Sequence, residues 1–546
     1  MSWSLRVFAM GNNTIVSGEC SKRFDELRFL QAEWVLNFAI DISKLRNLSF
    51  LDFSFKENEI WNMSENLSSL QVLKLNRSER NDGANLHAAM EFGHLIKLKH
   101  LHLRGFQIKE VSNFVKVYSL QKLRLSKIQG LKELPWTIGK LRSLKELYLG
   151  SCDDLMRLRE GFGELSSLSV VGLSGCKSLQ ELPCDFKKLL SLQLLNLSNC
   201  PNLHRLPEGL ENLPSLKFID VRGCSKLTSL PHRVCELSFW KSRISFSGCS
   251  SLIDLPEEIC KFTTLTSISL ERCRSLKVLP IGFGQLSCLE ELVLDECECL
   301  QELCDDFHCL ASLRGLRMCG CKSLSRLPEG FGKLSCLERL ELSGCDNIQE
   351  LCNEFGSLGA LEVLKLSRCK TLSKLPDCFG QLGRLKSLDL SICSKLEELS
   401  SNFHCLTSLI ELDLSNCESL REKWMDKVGS VQSLWRLSIS RSEKLIERWM
   451  EMQREKEDWH FVVLTDSSWE QNFTISICRK YRVDFVNSLD TKDTYESCCT
   501  AFSGLDKIQG VLQQEDYMPV RHLQAGSVQG KDFEATILYG LPGIDP

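Results

Sequence analysis

The chain has 546 residues, of which 43% are hydrophobic and 25% charged, and its formal net charge is −4. That balance gives ample apolar surface for a core and no overall basic excess to hold phosphates, which argues against nucleic acid as a partner. No run reaches the roughly 18 apolar residues of a membrane span, and Arg6 interrupts the apolar stretch of Met1 to Ala9, so no secretory signal is expected and the expected location is cytoplasmic.

In chain order, the first units are irregular. Leu5-Arg-Val-Phe8-Ala-Met10-Gly-Asn-Asn13 sets out a leucine-spaced phrase, and units ending near Val35, Lys56, Ser78, Phe106 and Ile128 repeat it loosely. From Cys152 the phrase becomes strict, L-x-x-L-x-L-x-x-C followed by x-x-L-x-x-L-P-x-x-F-G-x-L. Its cysteine returns every 24 residues at Cys152, Cys176, Cys200 and Cys224, then after one extra residue at Cys249, Cys273, Cys297, Cys321, Cys345, Cys369, Cys393 and Cys417. A last unit ends near Ser442, for about nineteen coils in all.

A period of this length with this leucine spacing marks a leucine-rich-repeat solenoid. In Leu337-Glu-Arg-Leu340-Glu-Leu342-Ser-Gly-Cys345, a short strand points Leu340 and Leu342 to one side and Glu341 to the other. Ile348, Leu351, Phe355 and Leu358 are the apolar residues of the return, which a single coil cannot bury and a stack can. Pro183, Pro207, Pro231, Pro256, Pro280, Pro328 and Pro376 follow a leucine where the chain leaves the strand, a place suited to fixed φ and no N–H donor. The expected fold class is therefore α/β: a leucine-rich-repeat solenoid (horseshoe) over residues 1–442, with a concave parallel sheet and convex short helices and turns. At about 4.8 Å per strand the sheet would follow an arc of roughly 90 Å.

The 28 cysteines are read as reduced. Twelve form an inward structural ladder, small hydrophobes with a weak S–H donor. Cys297, Cys299, Cys304 and Cys309 are the densest cluster, but their places in the repeat put them on different faces, so no metal and no other cofactor is expected.

Function must then lie on a face. Outward strand positions are the residue before the first strand leucine and the one between the two leucines. Val170, Leu194 and Phe218 make an apolar stripe with Tyr148 and Asn196 beside it, a plausible anchor for a partner. A second candidate is charged: Glu290, Glu291 and Asp295, then Arg314 and Arg317, then Arg339 and Glu341, a field that could steer a basic peptide. The middle column from Tyr148 to Asp413 has no repeat of its own, which fits one extended, heterogeneous partner.

After Ser442 the rhythm stops. Residues 443–458 carry Leu445, Ile446, Trp449 and Met450 at helical spacing and are expected to cap the stack. Residues 459–546 are expected to form a small C-terminal α/β appendage, with strands near His460–Leu464, Ile475–Phe485 and Asp532–Gly540. His460, Asp466, Cys478, Cys498, Cys499 and His522 supply catalytic residue types, but no local signature orders them, so no enzyme is expected.

The units Leu327-Pro-Glu-Gly-Phe-Gly-Lys-Leu-Ser-Cys-Leu337 and Leu134-Pro-Trp-Thr-Ile-Gly-Lys-Leu-Arg-Ser-Leu144, coupled to L-x-L-x-x-C, resemble the repeats of plant nucleotide-binding leucine-rich-repeat disease-resistance proteins. The resemblance covers roughly residues 1 to 442. It implies a protein-binding array that senses pathogen-derived or modified host proteins and restrains a nucleotide-binding switch domain. Ras-pathway leucine-rich-repeat scaffolds share the L-P-x-x-I-G-x-L half, so a scaffold assembling host signalling proteins is the alternative. No G-x-x-x-x-G-K-[ST] phosphate loop is present, since Gly139-Lys140 and Gly332-Lys333 are followed by leucine and Gly530-Lys531 by Asp532. A switch domain is therefore expected on another chain or as a part lost upstream.

Overall fold

The computed structural model describes residues 3–8, 27–35, 46–55, 67–77, 94–106, 117–230 except 135, 242–438 except 422 and 435, 460–465 and 473–478. The chain divides into two compact units, Met1–Leu324 and Ser325–Pro546, built by the same rule. In the first, ten strands pair in sequence order: Trp3–Phe8, Leu27–Val35, Phe50–Phe55, Val72–Arg77, His100–Arg104, Lys122–Ser126, Glu146–Tyr148, Val170–Gly172, Leu194–Asn196 and Phe218–Asp220. Arg243–Ser245, Ser267–Ser269, Glu291–Val293 and Gly315–Arg317 continue as parallel pairs. In the second, Arg339–Glu341, Val363–Lys365, Ser387–Asp389, Glu411–Asp413 and Arg436–Ser438 do the same.

Parallel neighbours need a full return between them, and the repeat supplies it. Leu364 is buried between the outward Val363 and Lys365, and Leu366 follows it inward. Each fully buried leucine adds roughly 1.5–3 kcal/mol of apolar transfer, so the stack draws its stability from the repeated positions. Pro183, Pro256 and Pro376 hold φ of −68°, −63° and −65° immediately before the 3-10 turns Cys184–Lys188, Glu257–Lys261 and Asp377–Gln381. Where glycine directly precedes the buried residue of the turn, Gly209 before Leu210, Gly282 before Phe283 and Gly330 before Phe331, it turns left-handed at φ 86°, 85° and 75° and the 3-10 segment shortens to three residues. The returning side thus closes with i→i+3 bonds, because so few residues remain for it that a tight turn fits where an α-helix does not. Among the described residues the one α-helix is Trp424–Gly429.

Most of the 3-10 turns bury a phenylalanine, with Ile138, Leu210 and Ile259 in its place in three of them, and the rings form a second spine. Phe162 and Phe186 stack at 5.8 Å in the first unit. In the second, Phe331, Phe355, Phe379 and Phe403 stack at 6.4, 6.1 and 6.3 Å.

The repeat cysteines lie between sheet and turns, and their thiols donate back one coil. Cys176 Sγ lies 2.9 Å from the Leu149 carbonyl, Cys200 3.1 Å from Leu173, Cys297 3.2 Å from Leu270 and Cys393 3.1 Å from Leu366. Burial raises these thiols, Cys152 and Cys200 to about 11 and Cys249 and Cys417 to about 12. The residue just before the cysteine is left-handed in many coils: Gly223, Gly344, Asn199 and Ile392 have φ of 75°, 75°, 56° and 61°.

The cap expected over 443–458 lies outside the described residues. Of the appendage expected over 459–546, the antiparallel pair His460–Thr465 and Phe473–Cys478 is described, and the strand expected near Asp532–Gly540 lies outside. Among the described residues no helix is long and apolar enough to cross a membrane.

Candidate functional site

The apolar stripe lies on the outward side of the first unit's sheet. Parallel pairing sets Val170 beside Leu194 and Leu194 beside Phe218, while Val171, Leu195 and Ile219 point inward. Phe218 is 47% exposed, and Val170 and Leu194 are half-buried by their neighbours. In the adjacent column the Tyr148 ring lies over Gly172, where an added Cβ would come within 2.7 Å of Tyr148 Cδ1. The missing side chain lets the ring lie flat.

The polar residues of the middle column are less available than their outward position implies. Asn196 Oδ1 accepts from the Ser198 amide at 2.9 Å and the Ser198 hydroxyl at 2.7 Å, which pins the turn that follows the strand. Asp220 does the same for the Arg222 amide and pairs with its guanidinium at 2.6 Å. These are Asx turns, in which a short side chain takes over an amide the ladder leaves open.

Asp295 is a correction to the charged candidate. Expected on the exposed face, it is 7% exposed and accepts from the Cys319 amide at 2.8 Å and from Arg317 Nη2 at 2.6 Å. It therefore positions Arg317 and does not face solvent. Glu290 and Arg314 are exposed, and Glu291 lays its carboxylate over Gly315, occupying the space a Cβ there would need. In the second unit, Arg339 is exposed beside Glu338, and Glu341 accepts from Lys365 at 3.1 Å. Asp389 and Asp413 hold the amides of Ser391 and Ser415 at 2.9 and 2.8 Å.

Sequence reasoning missed a basic group on the first unit's face. Register continues the middle column back from Tyr148 to Arg124, His102, Lys74 and Asp52. Lys122 Nζ lies 5.5 Å and the Arg124 guanidinium 4.5 Å from the Tyr148 ring centroid. Lys122 also pairs with Glu146 at 2.5 Å, and Lys74 with Asp52 at 3.1 Å. Burial would raise the Glu146 carboxyl, but Lys122 and the Tyr148 hydroxyl outweigh it and hold it below the ordinary value. Burial, then Arg124 and Lys74, push His102 down to about 4. The signal was present in the alternation Leu101-His102-Leu103 and Leu123-Arg124-Leu125. Among the described residues no three His, Cys, Asp or Glu side chains are grouped to hold a metal ion.

Parallel strands in sequence order, a buried leucine frame and a variable outward face define a repeat protein of the leucine-rich class. The family described as leucine-rich repeat region matches residues 44–182 and 297–457, more than half of the sequence, and the chain belongs to it. A second repeat description, Leucine Rich Repeat, matches residues 191–213. Among solved structures, the fold is similar to the leucine-rich-repeat protein LIC12759 of Leptospira interrogans, 22% identical over 77% of this chain and 97% of that one, with a TM-score of 0.51. The functional domain of InlJ from Listeria monocytogenes, described as including a cysteine ladder, is 13% identical over 78% of this chain and 75% of that one, TM-score 0.39. The plant peptide hormone receptor RGFR1, solved in complex with RGF2, is 16% identical over 73% of this chain and 91% of that one, TM-score 0.33. Comparison with curated proteins finds no match.

Proposed function

We propose that this chain is a non-enzymatic protein-recognition module, the sensing leucine-rich-repeat part of a plant intracellular immune receptor acting in the cytoplasm. The observation that carries the reading is the contrast between frame and face. Buried positions repeat from coil to coil, while Glu146, Val170, Leu194 and Phe218 stand in register across four strands and differ in chemistry, an acid followed by three unlike apolar residues. A half-exposed aromatic beside aliphatic neighbours is the kind of anchor on which protein interfaces concentrate affinity. The strict cysteine phrase, through its resemblance to plant receptors, supports the finer assignment. The partner would be a pathogen-derived or host signalling protein, and a nucleotide-binding switch domain, upstream or on another chain, would convert its capture into a response. Tyr148, Val170, Leu194 and Phe218 are the first contacts, with Glu290, Glu291, Arg314 and Arg317 charged contacts in the same unit and Arg339 and Glu341 in the other. Asn196 and Asp295 act through the turns they hold.

The test is calorimetric binding of pathogen-secreted proteins to the full chain. Phe218→Asp should weaken a bound partner at least tenfold with an unchanged unfolding midpoint, and unchanged affinity would remove the stripe from the interface. An in-frame phosphate loop in the transcript upstream of Met1 would place the switch on the same chain, and a transcript without one would leave it to another chain. Simultaneous retention of several host signalling proteins, with no pathogen product bound, would move the reading to a scaffold.

A further inference from the structure

We propose that the outward face of Val72–Arg77, His100–Arg104 and Lys122–Ser126 docks an acidic, extended segment of a partner protein, with Lys74, His102 and Arg124 as its central contacts. The proposal rests on the reading of the chain as a protein-recognition module and adds the place and the chemistry of the partner.

These three strands carry five Lys or Arg side chains, two histidines and no Asp or Glu, in a chain whose formal net charge is −4. Register places Lys74, His102 and Arg124 side by side on successive strands. The leucines between them, Leu73, Leu75, Leu101, Leu103, Leu123 and Leu125, are buried and make the core. The outward row of cations contributes nothing to that core. It holds like charges about 4.8 Å per strand apart, with a histidine wedged between them that they help to keep neutral. Carboxylates laid across this row would pair with Arg124, share Lys74 with Asp52 and give His102 an acceptor.

The borders of the row define the ligand. Asp52 engages Lys74 at one end and Glu146 engages Lys122 at the other. A continuous polyanion such as RNA would run into both carboxylates. An extended peptide crossing the three strands needs only about three or four residues to span their roughly 10 Å, and its acidic side chains can be confined to the stretch between the borders. Tyr148, flanked by Lys122 and Arg124, gives an aromatic edge for an apolar residue next to that stretch.

The experiment titrates the full chain into fluorescein-labelled ten-residue polyglutamate, polyglutamine and polylysine peptides and a single-stranded RNA ten-mer, read by anisotropy at low and at high salt. Polyglutamate alone should bind, and less tightly at high salt. The double variant Lys74→Glu/Arg124→Glu should lose at least tenfold, and Lys226→Glu, an exposed lysine away from the strands, should lose nothing. If the reversal variant does not fold, Lys74→Gln/Arg124→Gln should still lose severalfold with an unchanged unfolding midpoint. Equal binding of polyglutamate and polyglutamine, indifference to both double variants, or tighter binding of RNA through the same residues overturns the proposal. If polyglutamate fails while a protein partner is held and Phe218→Asp releases it, this proposal falls and the recognition reading stands. If no protein is held either, both fall.

Discussion

The thiol of Cys369 donates to the carbonyl oxygen of Leu342, one coil back, at 3.2 Å. That carbonyl already accepts from the Cys345 amide at 3.2 Å, so the sulfur serves its second lone pair and ties two coils at a point the strand ladder does not reach. Cys369→Ala removes both this bond and the volume of the sulfur. The expected cost is about 1–2 kcal/mol, a weak hydrogen bond plus a small cavity. The urea unfolding midpoint checks it, and an unchanged midpoint would mean that the ladder fills space without linking coils.

Ladder thiols also make stability depend on pH, with a definite sign. Burial raises Cys152 and Cys200 from 9.0 to about 11 and Cys249 and Cys417 to about 12. Unfolded, these thiols ionise near 9; folded, they stay neutral until pH 11 or above. Between those values the unfolded state has lost protons that the folded state keeps, so stability falls as pH rises. Unfolding midpoints should therefore be flat below pH 8 and drop from pH 9 toward 11. At pH 8 a thiol reagent should modify exposed Cys184, Cys288, Cys309 and Cys336 quickly and the ladder only as the chain unfolds. Equal rates for the two groups would contradict the burial argument.

The frame was legible because it depends on period alone. Leu340 and Leu342 two apart, a proline after the return leucine, and a cysteine at a fixed interval each constrain backbone direction, and Pro256 and Pro376 stand where that reasoning puts them. The face was less legible. Period two says that Asp295 leaves the strand region on the outward side, but not that its oxygens turn back to the Cys319 amide. Hydrogen bonds two residues or one coil away depend on turn geometry that the leucine pattern does not encode. The Lys74–His102–Arg124 row stayed hidden for another reason. Its coils are unequal in length and lack the cysteine, with Phe106 and Ile128 in the ladder position, so its members do not recur at a fixed interval and have to be aligned on the Leu-x-Leu phrase. Short helices and turns were expected on the returning side, and 3-10 turns stand there; the period fixes the length of the return but does not choose its hydrogen-bond pitch.

Close stacking makes one glycine of the F-G-x-L phrase indispensable and leaves a nearby glycine free. A Cβ on Gly356 would lie 2.1 Å from the Cys378 carbonyl oxygen, a backbone atom that cannot move without shifting the next coil. At Gly383 a Cβ meets nothing closer than the Gln381 carbonyl at 4.0 Å. Gly356→Ala is expected to cost about 1–3 kcal/mol, as overpacking does, or more if the coil cannot adjust. Gly383→Ala should be neutral or slightly stabilising, since it restricts the unfolded chain. Paired thermal unfolding of the two variants decides, and equal effects would show that the coils are not in contact at Gly356.

Ile392 stands just before the ladder cysteine, where other coils place glycine, asparagine, serine, arginine or glutamate and none a β-branched residue, and it takes φ +61°. A β-branched side chain in the left-handed region crowds the following carbonyl, at roughly 1–2 kcal/mol. Asn199 and Asn416 adopt the same conformation at φ 56° and 59°, and asparagine tolerates it because its short polar side chain can bond locally. Ile392 is half-buried, so replacing it also forfeits some apolar contact. The strain relieved outweighs that loss, because a side chain already partly in water has little transfer free energy left to lose. Ile392→Asn should therefore stabilise the second unit by up to about 1 kcal/mol, seen as a higher unfolding midpoint with an unchanged denaturant slope. A lower midpoint would mean that the isoleucine's packing is worth more than the strain it causes.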